Sequence, residues 1–247
     1  MGGCFLNTDR LKSILLRVGL LIGILACILT AFVNLAQLRC FNAIFNAVCS
    51  VSTTRNVVAL TFDDGPSATA QGAILPLLAA NDAKATFFLS GQKVEKDPAA
   101  TRAIVAAGHE IGNLGFSNQV LEDRPQSFYA DEVVRTDALL RKAGVEKPYL
   151  FRPPYGVRSV GLLWELHQRD YKLIMWDVSD NGRREAPPRA YASAILAQVQ
   201  PGSIVMLHAM GADDEDAREA LPLILQGLKE RGLKSVTVGE LLAAEGK

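Results

Sequence analysis

The chain has 247 residues, enough for one large domain or two small ones with a substantial hydrophobic core. Hydrophobic residues make up 49% and charged residues 21% of the sequence, which excludes collagen-like, coiled-coil and disordered chains. Lysine plus arginine equals aspartate plus glutamate at 26 each, and no basic stripe occurs, so the charge argues against a nucleic-acid-binding protein.

Residues 18–38 carry no formal charge and are mostly apolar. Because a helix of about 20 apolar residues crosses the hydrocarbon core of a bilayer, this segment predicts one transmembrane anchor. Arg10, Lys12 and Arg17 precede the segment, and only Arg39 follows it closely. The positive-inside bias then predicts a cytoplasmic segment 1–17, a single pass through the inner (cytoplasmic) membrane, and a catalytic domain facing the periplasm or cell exterior.

Three other interpretations of this apolar run explain it less well. A cleaved signal peptide is usually shorter, and no good small-x-small cleavage site follows the run. Lipoprotein processing before Cys27 would leave a strongly apolar new N-terminus. A buried helix of a soluble domain would have to be apolar on every side.

All four cysteines lie before residue 50, at Cys4, Cys27, Cys40 and Cys49, so the rest of the chain uses no thiol chemistry. If the predicted topology holds, Cys40 and Cys49 lie in an oxidising compartment and could pair, although their spacing alone does not establish the bond. Residues 39–55 are interpreted as a linker.

From residue 56 onward, predicted strands and helices alternate without hairpin turns, which indicates parallel βα units. About seven such units in residues 56–247 favour a small α/β barrel. No G-x-G-x-x-G or G-K-[ST] pattern follows the first strand, which argues against an open nucleotide-binding sheet. The predicted strands are 57–62, 84–89, 110–112, 149–152, 172–176, 203–207 and 235–238. The predicted helices are 68–80, 97–107, 127–143, 160–169, 190–200 and 216–229, with a short one ending at Ala244.

Unusual polar clusters fall at the carboxyl ends of these strands, which converge on one rim of a parallel barrel. They are Thr61–Pro66 (TFDDGP), Gly108–Asn113 (GHEIGN), Phe151–Gly156 (FRPPYG), Trp176-Asp177 and Leu207-His208. Taken singly, each has a structural explanation, such as a turn, a surface arginine, a helix cap or a packed histidine. Taken together they favour a site for general acid–base chemistry, because an aspartate pair needs a compensating cation and a histidine needs an orienting carboxylate.

These five motifs resemble, in order, those of the polysaccharide deacetylase family, carbohydrate esterase family 4, which contains the NodB homology domain. The resemblance covers roughly residues 56–244. It implies a distorted (β/α)7 barrel that hydrolyses N- or O-acetyl groups of sugars in chitin, peptidoglycan or related glycans. The implied partner is an N-acetylated glycan or glycolipid, besides the membrane.

The same resemblance implies four catalytic roles. Asp63 would be the general base that activates water, and Arg152 would orient it. His208 would protonate the departing amine, with Asp177 holding the imidazole in the correct tautomer.

On the substrate side, the resemblance implies that the backbone N–H of Tyr155 helps to hold the oxyanion, with Pro153 and Trp176 beside it.

Members of this family hold a divalent metal, usually zinc, with one aspartate and two histidines. By resemblance Asp64 is the aspartate, but the histidine positions are occupied by Leu114 and Asn118. Leucine has no donor atom, and the amide oxygen of asparagine is a poor ligand for zinc. The sequence therefore predicts no family-type zinc centre and leaves the cofactor unknown.

Two functions remain open at this point. The chain could be a deacetylase that uses a different metal arrangement or none, or it could be a catalytically impaired pseudoenzyme with a glycan-binding cleft. A purely structural membrane protein would leave the polar clusters at the rim unexplained.

Overall fold

The computed structural model describes residues 8–36, 40, 47–122, 124–146, 148–180 and 186–246. Residues 1–7, 37–39 and 41–46, which belong to the predicted cytoplasmic, anchor and linker segments, lie outside the described residues. The segment 181–185 also lies outside the described residues.

The first element is a long helix, α1, from Thr8 to Ala36. It begins ten residues before the predicted anchor 18–38, and its first turns carry Arg10, Lys12 and Arg17. Among the described residues, no helix combines the length and the apolar character that crossing a membrane requires. The predicted single-pass inner-membrane localisation, which depends on that anchor, is therefore wrong, and the described residues give no support to the membrane as a partner.

After α1 the chain forms a parallel α/β domain with one sheet and surrounding helices. The strands are β1 (Val57–Gly65), β2 (Thr86–Leu89), β3 (Glu110–Asn113), β4 (Leu150–Phe151), β5 (Lys172–Leu173), β6 (Val178–Ser179), β7 (Ile204–Leu207) and β8 (Lys234–Val236). The helices are α2 (Ala68–Ala80), α3 (Gly91–Lys96), α4 (Pro98–Ala106), α5 (Gln126–Lys142), α6 (Val160–Gln168), α7 (Pro188–Leu196), α8 (Glu215–Glu230) and α9 (Val238–Leu242), with a 3₁₀ turn at Pro154–Gly156.

The strands pair in the order β5-β4-β3-β2-β1-β7-β6, and β8 pairs with the first half of β1. The paired strands run parallel, so their carboxyl ends lie on one side of the sheet. This confirms the predicted parallel α/β class and is consistent with a (β/α)7 barrel. Two elements, α3 and β6, are absent from the predicted set.

The hydrophobic core lies on both faces of the central strand β1, because successive side chains of a strand point to opposite sides. Val58, Leu60 and Phe62 pack in a cluster with the surrounding helices, whereas Ala59 packs in a second cluster with Phe88. The helices cover the sheet with regularly spaced apolar faces, as is usual for amphipathic helices. The residues of both clusters are buried.

The segment 47–51, within the predicted linker, packs on the domain. Val48 forms a parallel bridge with Ile174, and Ser50 forms an antiparallel bridge with Ser203. Cys49 forms a disulfide with Cys40, a bond that the sequence alone does not establish. The described part of the domain therefore begins at residue 47.

Candidate active site

The first group of the site is an ion pair between the end of β1 and the residue that follows β4. The guanidinium of Arg152 donates from Nη1 to Asp63 Oδ1 (2.6 Å) and to Thr61 Oγ1 (2.8 Å). Its Nε and Nη2 donate to the backbone carbonyls of Ile174 (3.3 Å) and Met175 (3.0 Å). Both Asp63 and Arg152 are buried, so the predicted pairing of these two residues is present in the structure.

Burial changes the acid–base properties of this pair. Desolvation raises the pKa of Asp63, while the charge of Arg152 opposes that rise. Desolvation likewise lowers the pKa of Arg152, and Asp63 opposes that change. The guanidinium also stacks near the rings of Phe88 (4.1 Å to the centroid) and Trp176 (5.4 Å). Asp63 is thus a carboxylate with a raised pKa and a fixed orientation, which are the properties that a general base needs.

Asp64 has a different environment from Asp63. Its backbone is left-handed, with φ of 68°, and its carbonyl oxygen accepts a hydrogen bond from the ammonium of Lys93. Its carboxylate Oδ1 accepts from the side-chain amide of Asn118 at 2.9 Å. Asn118 is itself left-handed, with φ of 54°, a conformation that asparagine tolerates better than most residues.

The loop after β3 is fixed by hydrogen bonds to the side chain of Glu132 in α5. Its Oε2 accepts from the backbone N–H groups of Phe116 (2.7 Å) and Ser117 (3.0 Å). At Gly115, with φ of +81°, a Cβ would lie 3.0 Å from the same oxygen, so the close approach requires glycine. The loop therefore has a defined shape that directs Leu114 and Asn118 to the cavity described below.

The carboxylate beside His208 belongs to Asp180, which sequence reasoning did not identify. Asp180 Oδ2 lies 2.9 Å from His208 Nδ1 and accepts a hydrogen bond from the hydroxyl of Tyr191 at 3.1 Å. Asp177 instead accepts from Ser203 Oγ and the backbone N–H of Ile204, both at 2.8 Å. The predicted pairing of Asp177 with His208 is therefore not the one in the structure.

The reason for this difference is β6. Its residues Val178–Ser179 pair with Val205–Met206 of β7. Asp177 precedes β6 and lies at the start of β7, whereas Asp180 follows β6 and reaches the end of β7. Since a strand rises about 3.3 Å per residue, His208 is roughly 13 Å further along than Ile204. The sequence did carry a signal for Asp180, because a second aspartate follows Asp177 by three residues.

A cavity of about 310 Å³ opens at the carboxyl ends of the strands. Seven of the residues predicted for the site contribute to its wall, together with Pro154 and Met206; these seven are Asp63, Asp64, Leu114, Asn118, Tyr155, Trp176 and His208. Arg152 lies behind Asp63, and Pro153 is buried in the same loop. Asp177 is the predicted catalytic residue that is not part of this arrangement.

The side chains around Asp64 do not fit a tetrahedral zinc centre. Leu114 is apolar, and the Asn118 amide donates to Asp64 rather than offering a second anionic or imidazole ligand. Within the described ranges, no three histidine, cysteine, aspartate or glutamate side chains come together as a metal site would require. The groups available to a metal at this position are thus the carboxylate of Asp64 and the amide of Asn118.

Known proteins resemble this chain in sequence and in fold. The family profile described as "Polysaccharide deacetylase" matches residues 50–174. A peptidoglycan-N-acetylglucosamine deacetylase from Bacillus cereus is 33% identical over 198 residues, covering 78% of this chain and 91% of the relative. The crystal structure of a peptidoglycan N-acetylglucosamine deacetylase superposes with a TM-score of 0.77 at 28% identity, covering 81% of this chain and 95% of that one.

A further structural relative is described as a family 4 carbohydrate esterase pseudoenzyme from Bacillus anthracis. It superposes with a TM-score of 0.75 at 25% identity, covering 83% of this chain and 72% of that one. A mutant of that pseudoenzyme, described as having restored enzymatic activity, superposes with a TM-score of 0.75 at 26% identity, covering 83% and 74%.

Proposed function

We propose that this chain, which belongs to the polysaccharide deacetylase family and is similar to hydrolases of carbon–nitrogen bonds other than peptide bonds, binds an N-acetylated cell-envelope glycan in its cavity. The proposed reaction is hydrolysis of the acetamido group, in which water adds to the carbonyl carbon, the C–N bond breaks, and acetate and a free amine result. The observation that carries this proposal is that Asp63 and His208, each with its own buried partner, line one cavity.

The roles of these residues follow from their contacts. Asp63 accepts the proton of the attacking water, since Arg152 fixes its carboxylate and burial raises its pKa. His208 protonates the leaving amine, and Asp180 at Nδ1 leaves Nε2 as the atom for this transfer. The backbone N–H of Tyr155 is proposed as the oxyanion donor, and Trp176 as an apolar wall for the acetyl methyl group.

A catalytically impaired, glycan-binding pseudoenzyme is the second candidate, and Leu114 and Asn118 favour it. We propose that these residues occupy the positions of the family's two histidine ligands. A Lewis acid that polarises the carbonyl contributes several kcal/mol to such a reaction. At about 1.4 kcal/mol per tenfold change in rate, its loss lowers turnover by orders of magnitude.

One assay of the full chain separates the two candidates. Binding of N-acetylglucosamine oligomers and release of acetate from them are measured for the wild type, for Asp63→Asn and for Asp82→Asn. Asp82 is a matched control because it lies exposed beside Lys234, at the opposite end of β8 from the cavity. An active enzyme loses at least a hundredfold in rate with Asp63→Asn and nothing with Asp82→Asn. Binding without acetate release supports the pseudoenzyme, and the absence of both contradicts the proposed function.

A gain-of-function variant tests the proposed metal positions. Leu114→His combined with Asn118→His is expected to bind one Zn²⁺ together with Asp64, because both side chains face the cavity beside that carboxylate. Zinc stoichiometry is measured by elemental analysis, and acetate release in parallel. Leu114→His alone is the control and should bind zinc far more weakly. If the double variant binds no zinc, the assignment of these two positions is wrong.

A further inference from the structure

The ionisable side chains in the wall of the cavity are mostly acidic. The described residues that line it include the carboxylates of Asp63 and Asp64 and the imidazole of His208, but no lysine or arginine. Arg152 pairs with Asp63 at 2.6 Å and compensates its charge. Asp64 forms no ion pair with any described residue. The cavity therefore contains one carboxylate whose charge the wall does not balance.

The contacts of Asp64 leave part of its carboxylate open to a ligand. Its Oδ1 accepts from the amide of Asn118 at 2.9 Å, which is a neutral donor. Among the described residues, none donates to Oδ2. The ammonium of Lys93 donates to the backbone carbonyl oxygen of Asp64 instead, and Lys93 is not one of the described residues in the cavity wall. Since Asp64 is half-buried, solvent satisfies its carboxylate only in part, and a cationic donor would stabilise it.

The residues beside Asp64 do not supply the missing charge through a metal. Leu114 and Asn118 are neutral, and the groups at this position do not fit a zinc centre. The charge of Asp64 also acts on its neighbour. Desolvation raises the pKa of Asp63, Arg152 opposes this rise, and the negative charge of Asp64 adds to it. A cation bound between the two carboxylates would relieve this repulsion.

The imbalance is local to the cavity. The whole chain has 26 lysine and arginine residues and 26 aspartate and glutamate residues, so its net charge attracts neither cations nor anions. A preference for a cationic ligand would therefore come from the cavity and not from the overall field of the protein.

We propose that the cavity binds a primary ammonium group at Asp64, and that its preferred ligand is the de-N-acetylated form of the glycan. This inference rests on the proposed function, which supplies the glycan and makes this amine the product of the reaction. An ammonium group offers three hydrogen-bond donors and a charge, whereas the nitrogen of an acetamido group offers one donor and no charge.

The magnitudes favour the amine over the acetamide. Burial of the acetyl methyl group against the apolar wall contributes about fourfold in affinity. A hydrogen bond between charged groups contributes about tenfold to a hundredfold. The other described residues of the wall favour a sugar as the carrier of the ammonium, because Tyr155 and Trp176 provide rings against which the C–H face of a pyranose can pack. The alkyl chain of a lysine is narrower and would contact less of this wall.

The test compares two disaccharides that differ in acetylation. Dissociation constants of the full chain are measured for glucosamine disaccharide and N-acetylglucosamine disaccharide, with a chelator present and at a pH at which the sugar amine is protonated. We expect the wild type to bind the glucosamine disaccharide about tenfold more tightly, and Asp64→Asn to lose this preference. Asp213→Asn, an exposed carboxylate between β7 and α8, is the matched control and should keep it. Added salt should reduce the preference of the wild type, because ions screen a half-buried charge.

A second variant and a second probe sharpen the test. Asn118→Asp places another carboxylate beside Asp64 and should increase the affinity for the glucosamine disaccharide. It decides the matter if Asp64→Asn binds neither disaccharide, since an unchanged or lower affinity in Asn118→Asp would then overturn the inference. Nα-acetyl-lysine amide carries the same ammonium group without a sugar and should bind at least tenfold more weakly than the glucosamine disaccharide. Equal binding of this probe would contradict the assignment to an amino sugar.

The outcomes separate this inference from the proposed function. If the wild type binds the acetylated disaccharide as tightly as the amine or more tightly, the inference is wrong and the proposed function keeps its ligand. If only the amine binds, the inference holds and the proposed substrate is wrong. If neither disaccharide binds to any of the proteins, both fail. A preference that persists in Asp64→Asn, or that is lost equally in Asp213→Asn, would show that the ammonium does not bind at Asp64.

Discussion

Each ionisable side chain of the cavity that the mechanism uses has a buried partner that fixes its orientation. The Asp63 carboxylate is fixed by Arg152, which also donates to Thr61 and to two backbone carbonyls. The Nδ1 atom of His208 is fixed by Asp180, which Tyr191 also contacts. Because buried polar groups are costly unless they are hydrogen-bonded, these networks are also part of the fold.

The contact between Asp180 and His208 gives a prediction that does not depend on turnover. With Asp180 accepting at Nδ1, neutral His208 carries its proton on that atom. Asp180→Asn should mix the two tautomers, since an amide can present either its oxygen or its N–H group. Asp177→Asn, the matched control, should leave the tautomer unchanged, because Asp177 contacts Ser203 and Ile204 instead. The ¹⁵N chemical shifts of the His208 ring report the tautomer directly. A response to Asp177→Asn but not to Asp180→Asn would contradict the assignment.

For individual residues, the motifs predict much of the site. The short strand β6 explains why Asp177 rather than Asp180 was predicted as the partner of His208. Asp63, Asp64, Arg152 and His208 follow apolar strands directly, so their convergence on one edge can be predicted from the sequence. The choice between Asp177 and Asp180 depends on whether Val178–Ser179 forms a strand, and two residues give no recognisable periodicity. The hydrogen bond between Asp64 and Asn118 likewise joins residues that are 54 positions apart in the sequence, and no local pattern predicts it.

Among the elements, the loop after β3 shows how a wall of the cavity is held in place. Glu132 is only 3% exposed, and its carboxylate has two backbone N–H donors in the loop. Two neighbouring residues of α3 also bond to the loop, since Gly91 and Gln92 donate to the carbonyl oxygens of Gly115 and Phe116. The loop is therefore anchored to two helices at once.

Removal of this carboxylate should both destabilise the domain and loosen the loop. We expect Glu132→Ala to lower the free energy of unfolding by about 2–3 kcal/mol, because two charge-assisted hydrogen bonds are lost and their donors become unsatisfied. Glu132→Gln should lose about half of that, since its amide oxygen can still accept both hydrogen bonds but carries no charge. Urea unfolding measures the effect, with Asp131→Ala, an exposed residue of the same helix, as a control expected to change it by less than about 0.5 kcal/mol. A loss below about 1 kcal/mol for Glu132→Ala would show that the loop is held elsewhere.

Element prediction from sequence succeeds where the pattern is long and fails where tertiary contacts decide. Helix α2 has the predicted bounds, and α5 and α8 differ from prediction by about one residue. The short α3 was missed because its six residues follow β2 at once and are stabilised by contacts with α5 rather than by an apolar stripe. The apolar run in α1 predicted a membrane anchor, but among the described residues no helix is both long enough and apolar enough to cross a membrane.

For the molecule as a whole, the segment 47–51 completes the sheet on the side of β5. Val48 donates to the carbonyl oxygen of Leu173 at 2.9 Å and accepts from the N–H of Met175 at 2.8 Å. Val51 donates to the carbonyl oxygen of Gly202 at 2.9 Å. Since the carbonyl oxygen of Met175 also accepts from Arg152, this segment supports the backbone beside the ion pair of Arg152 and Asp63.

A comparison of two fragments tests this support. A fragment that begins at Asn56 lacks the three hydrogen bonds and the buried Ala47 and Val51, whereas a fragment that begins at Ala47 keeps them. At about 1 kcal/mol for each hydrogen bond, with apolar burial in addition, we expect the shorter fragment to be less stable by roughly 3–5 kcal/mol. Both are unfolded in urea under reducing conditions, so that Cys49 is a thiol in the longer one. Equal stabilities would mean that the segment only lies on the surface of a domain that is complete from residue 56. A large loss, accompanied by weaker glycan binding in the shorter fragment, is expected because the carbonyl of Met175 that orients Arg152 would lose its neighbouring strand.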